Sequence, residues 1–195
     1  SGVLAKTTVI KKTKDADGKA IAEAEQTAVS GTTVEYTNTY KAGATDETFG
    51  INKKVEGLTG STKTFTFKLT PQEGDATDAK KADKTTEQTK TTTGAGEVSF
   101  DKITYSAAGT YTYVIKEETG SEPGYKYDKS EYTAVVTVTD DGSGVLAKTT
   151  VIKKTKGADG AELAEPETVE GLTVDYTNTY KAGETDETFG INKKV

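Results

Sequence analysis

The chain has 195 residues with 25 Lys and no Arg, 31 Asp and Glu, and a net charge of −6, a balance that excludes a phosphate backbone as partner. It holds no Cys, Met, Trp or His, so it lacks a disulfide framework, a thiolate nucleophile and the usual ligands of zinc or another transition metal. Most enzyme classes go with them, and no cofactor or metal is expected.

Apolar residues make up only 32% of the chain, while Thr alone supplies 38 positions and favours pleated, half-buried strands. The expected class is all-β with thin cores. No run of about 18 apolar residues and no basic-then-apolar leader occurs, so no membrane span or export signal is expected within this stretch. Any signal peptide or wall anchor would lie outside it.

Two blocks of the sequence recur. Residues 1–14 return unchanged at 143–156, and residues 35–55 return at 175–195 with only Glu35 becoming Asp175 and Ala44 becoming Glu184. The offsets of 142 and 140 describe a unit of about 140 residues and a tandem array. On this reading residues 1–42 are the closing strands of a preceding repeat, 46–181 are the one complete domain, and 186–195 open a following repeat. The short links 41–45 and 181–185 suggest stiffly stacked neighbours.

Within the complete unit, strands are expected near 48–55, 63–70, 85–92, 97–104, 110–118, 131–140, 144–154 and 172–180, an immunoglobulin-like Greek-key β-sandwich. Gly57–Ser61, Gly94–Gly96, Ala107–Gly109 and Asp140–Gly144 mark turns, and Gly74–Lys84 reads as a polar loop with one helical turn at most.

Three of these strands share an oddity. In the first, Phe49, Ile51, Lys53 and Val55 lie on one face, so an amine sits in an apolar row. In the fifth, Tyr111, Tyr113, Ile115 and Glu117 put a carboxylate in such a row, and in the last, Leu172, Val174, Tyr176, Asn178 and Tyr180 put an amide there. A lone buried charge is costly unless neutralised or paired, so Lys53, Glu117 and Asn178 call for each other or for a purpose. From the residues, two readings stand. One is reactive, with Lys53 as nucleophile, Asn178 as electrophile and Glu117 as proton shuttle. The other is a buried Lys53–Glu117 ion pair with Asn178 as a hydrogen-bonding neighbour, returning little net stability. A bulge in the first strand would turn Lys54 inward instead.

The segment Tyr113-Val-Ile115-Lys-Glu117-Glu118-Thr119-Gly-Ser-Glu122-Pro123-Gly124-Tyr125 resembles the E-box of the isopeptide-forming immunoglobulin-like domains of Gram-positive pilins and surface adhesins, a Tyr-x-Leu-x-Glu-Thr-x-Ala-Pro-x-Gly-Tyr pattern. It departs from that pattern by Ile115 for Leu, an extra Glu118 and Glu122 for Ala. The Lys-bearing first strand and the closing Tyr176-Thr-Asn178-Thr-Tyr180 also fit, so the likeness spans 46–181. It implies a spontaneous amide bond from Lys53 to Asn178, promoted by Glu117, formed once per molecule and not in turnover. By the same likeness Asn38 is the acceptor of the preceding repeat and Lys193 the donor of the following one.

The implied function is a structural stalk or fibre-shaft repeat of a Gram-positive surface adhesin or pilus, extracellular and anchored at the cell wall, with neighbouring repeats or a homopolymeric fibre as partners. The alternative is an adhesive module that grips a host matrix protein or glycan through the 74–93 segment, although no Trp or aromatic cluster sits there. A turnover enzyme finds no catalytic set. Asp15-Ala-Asp17-Gly18 could open a calcium loop but reads as an ordinary turn, as does Asp140-Asp141-Gly142, while Lys80-Lys81 and Lys153-Lys154 read as solvated charges.

Overall fold

The computed structural model describes residues 7–72, 87–184 and 187–193. The chain divides into two compact units, Ser1–Tyr40 and Lys41–Val195. In the larger unit twelve strands are described: β1 Thr45–Glu47, β2 Gly50–Glu56, β3 Thr64–Pro71, β4 Gln88–Thr93, β5 Gly96–Ser99, β6 Ile103–Tyr105, β7 Gly109–Glu117, β8 Tyr125–Lys126, β9 Glu131–Asp140, β10 Leu146–Lys156, β11 Glu162–Val169 and β12 Thr173–Tyr180. No helix among the described residues is long and apolar enough to cross a membrane.

A six-stranded sheet runs β11-β10-β9-β7-β3-β4, a four-stranded sheet runs β5-β2-β12-β8, and β1 pairs with β6. The alternating rows of β3, β7 and β9 turn Phe65, Phe67, Leu69, Tyr111, Tyr113, Ile115, Tyr132, Ala134 and Val136 inward. Ile51, Val174 and Tyr176 of the smaller sheet, with Phe49 just before β2, meet them, and one core results. This is the immunoglobulin-like sandwich expected. The chain passes from the smaller sheet to the larger between β2 and β3, β5 and β7, and β8 and β9, and back between β4 and β5, β7 and β8, and β11 and β12, so its first and last long strands share the smaller sheet. β2 and β12 are parallel neighbours in unbroken register from Gly50↔Thr173 to Glu56↔Thr179. No bulge interrupts β2, so Lys53 faces in while Lys54, its side chain 53% exposed, reaches Asp175 on the outside.

Three details depart from the expected strands. The span 97–104 is two strands, because Phe100 turns into the core and its N–H bonds the Phe49 carbonyl, ending the ladder. β8 is too short to show a period. β11 carries Pro166 and no clean alternation, and it survives as a strand because it lies at the edge of its sheet, where a missing N–H breaks no second ladder. The polar loop 74–84 and the start of the expected strand at 85 lie outside the described residues.

In the smaller unit, Lys11 bridges Ala28 and Lys14 bridges Ala20, the Val29 N–H bonds the Ile10 carbonyl, and Asp15 Oδ1 accepts the N–H groups of Asp17 and Lys19. The turn reading of Asp15–Gly18 therefore holds. No cluster of three or more metal-ligating side chains occurs among the described residues. Tyr36–Tyr40, identical to the second half of β12 in all but numbering, forms no strand there.

Candidate functional site

Lys53, Glu117 and Asn178 come from three strands and meet in the core. β2 and β12 bring Lys53 and Asn178 onto the same face of one sheet, two residues apart in register, since Lys53 pairs with Tyr176 and Asn178 with Val55. β7, in the opposing sheet, supplies Glu117 at the end of its inward row. The three residues are 1%, 5% and 0% exposed.

Glu117 stands between the other two. Its Oε2 is 2.6 Å from Lys53 Nζ, and its Oε1 accepts a 2.6 Å hydrogen bond from Asn178 Nδ2. The Lys53 amine also lies 4.6 Å from the centre of the Phe65 ring, an aromatic wall on β3 that the parity of β2, β7 and β12 does not identify. Tyr176 closes another side. Its hydroxyl donates to the Ile115 carbonyl at 2.9 Å and its ring packs on Phe67 at 5.4 Å.

Burial drives the Lys53 amine below its ordinary pKa, opposed by the hydrogen bond and charge of Glu117. Burial likewise drives the Glu117 carboxyl above its ordinary value, opposed by Lys53 and then by the Asn178 hydrogen bond. Both shifts favour a neutral amine beside a neutral acid. The pair therefore differs from a surface ion pair, where charge separation is cheap.

The carbonyl oxygen of Asn178 is held by a residue outside the expected set. Its Oδ1 accepts the main-chain N–H of Asp128 at 2.7 Å. A main-chain N–H can meet only the oxygen of the amide, which fixes its orientation and turns Nδ2 toward Glu117. Asp128 is itself 7% exposed and pinned twice: Oδ1 accepts the Ser130 N–H at 2.9 Å and Oδ2 the Thr177 N–H at 2.8 Å. Asp followed two residues on by Ser is a readable Asx turn. Its second partner, 49 residues away on β12, leaves no local trace.

Asn38 and Lys193, which the likeness assigns to the preceding and following repeats, are exposed and lie outside the described strands. Of the segment 74–93 named for the adhesive alternative, the part to residue 86 lies outside the described residues.

A family model described as FctA, the Spy0128-like isopeptide containing domain, matches residues 49–181. Among solved structures the chain is similar to the major pilin protein (T-13) from Streptococcus pyogenes serotype GAS131465, at 19% identity and a TM-score of 0.43 over 72% of this chain and 55% of that one. It is also similar to the major pilin from Streptococcus pyogenes, at 20% identity and a TM-score of 0.40 over 73% of this chain and 51% of that one. The chain thus spans about half the length of these pilins. No curated protein matches it significantly.

Proposed function

The chain belongs to the family of FctA, the Spy0128-like isopeptide containing domain, and on that premise we propose that residues 46–181 are a structural module of a Gram-positive surface fibre in which Lys53 and Asn178 become joined by an amide bond that Glu117 promotes. The family is one of structural, pilin-like domains, not of turnover enzymes. The observation that carries the proposal is the Glu117 carboxyl spanning the two nitrogens, 2.6 Å from each, in a closed site.

The chemistry balances without any added reagent. The neutral Lys53 amine attacks Cγ of Asn178, and the carbonyl electrons move onto Oδ1. Glu117 gives its proton to Nδ2 through Oε1 and takes one from Nζ through Oε2, so the acid ends as it began. The Cγ–Nδ2 bond breaks, ammonia leaves, and Nζ remains bonded to Cγ. Proximity does much of the work, because the fold holds the reacting groups together where a free amine and amide in water would meet rarely.

Intact mass tests this directly. The 195-residue chain should weigh one ammonia less than its sequence, and a peptide map should join Lys53 to Asn178. Lys53→Ala, Asn178→Ala and Glu117→Ala should each restore the full mass, and Lys54→Ala should not. A wild-type chain at its full sequence mass would reduce the three residues to a buried polar cluster. On this reading the module acts outside the cell, at the bacterial surface, with copies of itself as neighbours.

A further inference from the structure

We propose that Asp128 is a positioning residue for this reaction: its carboxylate ties the segment after β8 to β12 and so aims its own main-chain N–H at the oxygen of Asn178 on which negative charge develops. The inference rests on the cross-link reading and adds to it the group that receives that charge.

The geometry has three parts. The Asp128 N–H is 2.7 Å from Asn178 Oδ1, within the range that stabilises a forming oxyanion. That oxygen has no other hydrogen bond among the described residues, and Glu117 is occupied with the two nitrogens. The N–H is held in place through Asp128 Oδ2, which accepts from Thr177, the residue before Asn178, and through Oδ1, which accepts from Ser130. The donor is therefore fixed to the same strand as the group it acts on. When Nζ bonds to Cγ, the carbonyl electron pair moves to Oδ1 and the Asp128 N–H bond tightens. When ammonia leaves, the pair returns to re-form the carbonyl. A donor placed before reaction costs no reorganisation as charge appears.

Loss of one oxyanion donor typically slows acyl transfer by about 10²–10³. Asp128→Ala keeps the N–H and loses both ties, so it should slow cross-linking by at least about ten-fold and still allow completion. Asp128→Asn keeps an acceptor for Ser130 while presenting an amide to Thr177, and it should fall between Asp128→Ala and the wild type.

The test follows intact mass with time. Full-length chains synthesised in vitro and quenched in urea begin at the full sequence mass, and dilution into buffer starts the reaction. In parallel, isotopically labelled Lys53→Ala, which cannot cross-link, should show a scalar coupling between the Asp128 amide nitrogen and Asn178 Cγ across the hydrogen bond. The double variant Lys53→Ala/Asp128→Ala should lose that coupling. Slowed ammonia loss in Asp128→Ala together with the lost coupling supports the proposal. Ammonia loss at the wild-type rate in Asp128→Ala overturns it and leaves the cross-link standing. Slowing with the coupling intact also overturns it, because the effect would then be on folding alone. A wild-type chain that never loses ammonia removes the cross-link and this proposal together.

Discussion

At the scale of single residues, the site depends on two groups whose burial cost is cancelled only jointly. In Lys53→Ala the carboxyl of Glu117 stays buried but loses the hydrogen bond and charge that oppose its rise, so its folded pKa climbs further above the ordinary 4.5. A group that holds its proton more tightly in the folded state lends stability below its unfolded pKa and loses it as pH rises toward the folded value. Lys53→Ala should therefore melt at a higher temperature near pH 4 than near pH 8. The slope is at most about 1.4 kcal/mol per pH unit across the window between the unfolded and folded values of Glu117. Thermal denaturation across that range checks it, and adding Glu117→Ala to Lys53→Ala should flatten the dependence. A Lys53→Ala chain equally stable at both ends would mean that the Glu117 carboxyl finds another cation or water.

At the scale of elements, Gly57 ends β2 where β12 also ends. Its φ is +80°, and a Cβ there would sit 2.1 Å from the Tyr180 carbonyl oxygen. Gly57→Ala should thus combine left-handed strain with a clash against the main chain and lower stability by at least about 2 kcal/mol. Gly60 has a φ of +70° but nothing near its Cβ position, so Gly60→Ala should cost only the conformational part, and the two melting temperatures separate the causes. The sequence makes most of this layer legible. Strict alternation in β2, β7 and β12 places Lys53, Glu117 and Asn178 inward because one face of each strand is buried, and a shift of one residue would expose every apolar side chain. Alternation says nothing about β11, whose partner on one side only relaxes the rule, and although it turns Phe65 inward it does not say that Phe65 and Asp128 meet the site from elements distant in the chain. Such contacts are set by how the sheets stack, which is a property of the whole domain. A third buried carboxylate, Glu47 in β1, is of this kind: it meets Lys148 of β10 at 2.9 Å and also accepts from Thr150. The fold thereby fastens β1.

At the scale of the whole unit, the parallel pairing of β2 and β12 decides how tension would pass. A pull on residue 46 and on residue 181 draws neighbouring parallel strands in opposite directions from opposite ends, so the β2–β12 ladder is loaded in shear, all its hydrogen bonds at once. With the proposed bond in place, tension would run along β2 to Lys53, cross to Asn178 and leave along β12. The residues between 53 and 178 would then carry none of it. The same bond would close a loop of some 125 residues and restrict the unfolded chain by roughly 4 to 5 kcal/mol, on the loop-entropy model of a disulfide of similar span. Single-molecule stretching between residues 46 and 181 separates these effects. Lys53→Ala should rupture by shear and then lengthen by roughly 400 Å, the extended reach of the released residues. The wild type should rise in force with no such step until the tether itself fails. If the wild type lengthens like Lys53→Ala, tension passes through the sandwich and its stability is that of the ladder alone.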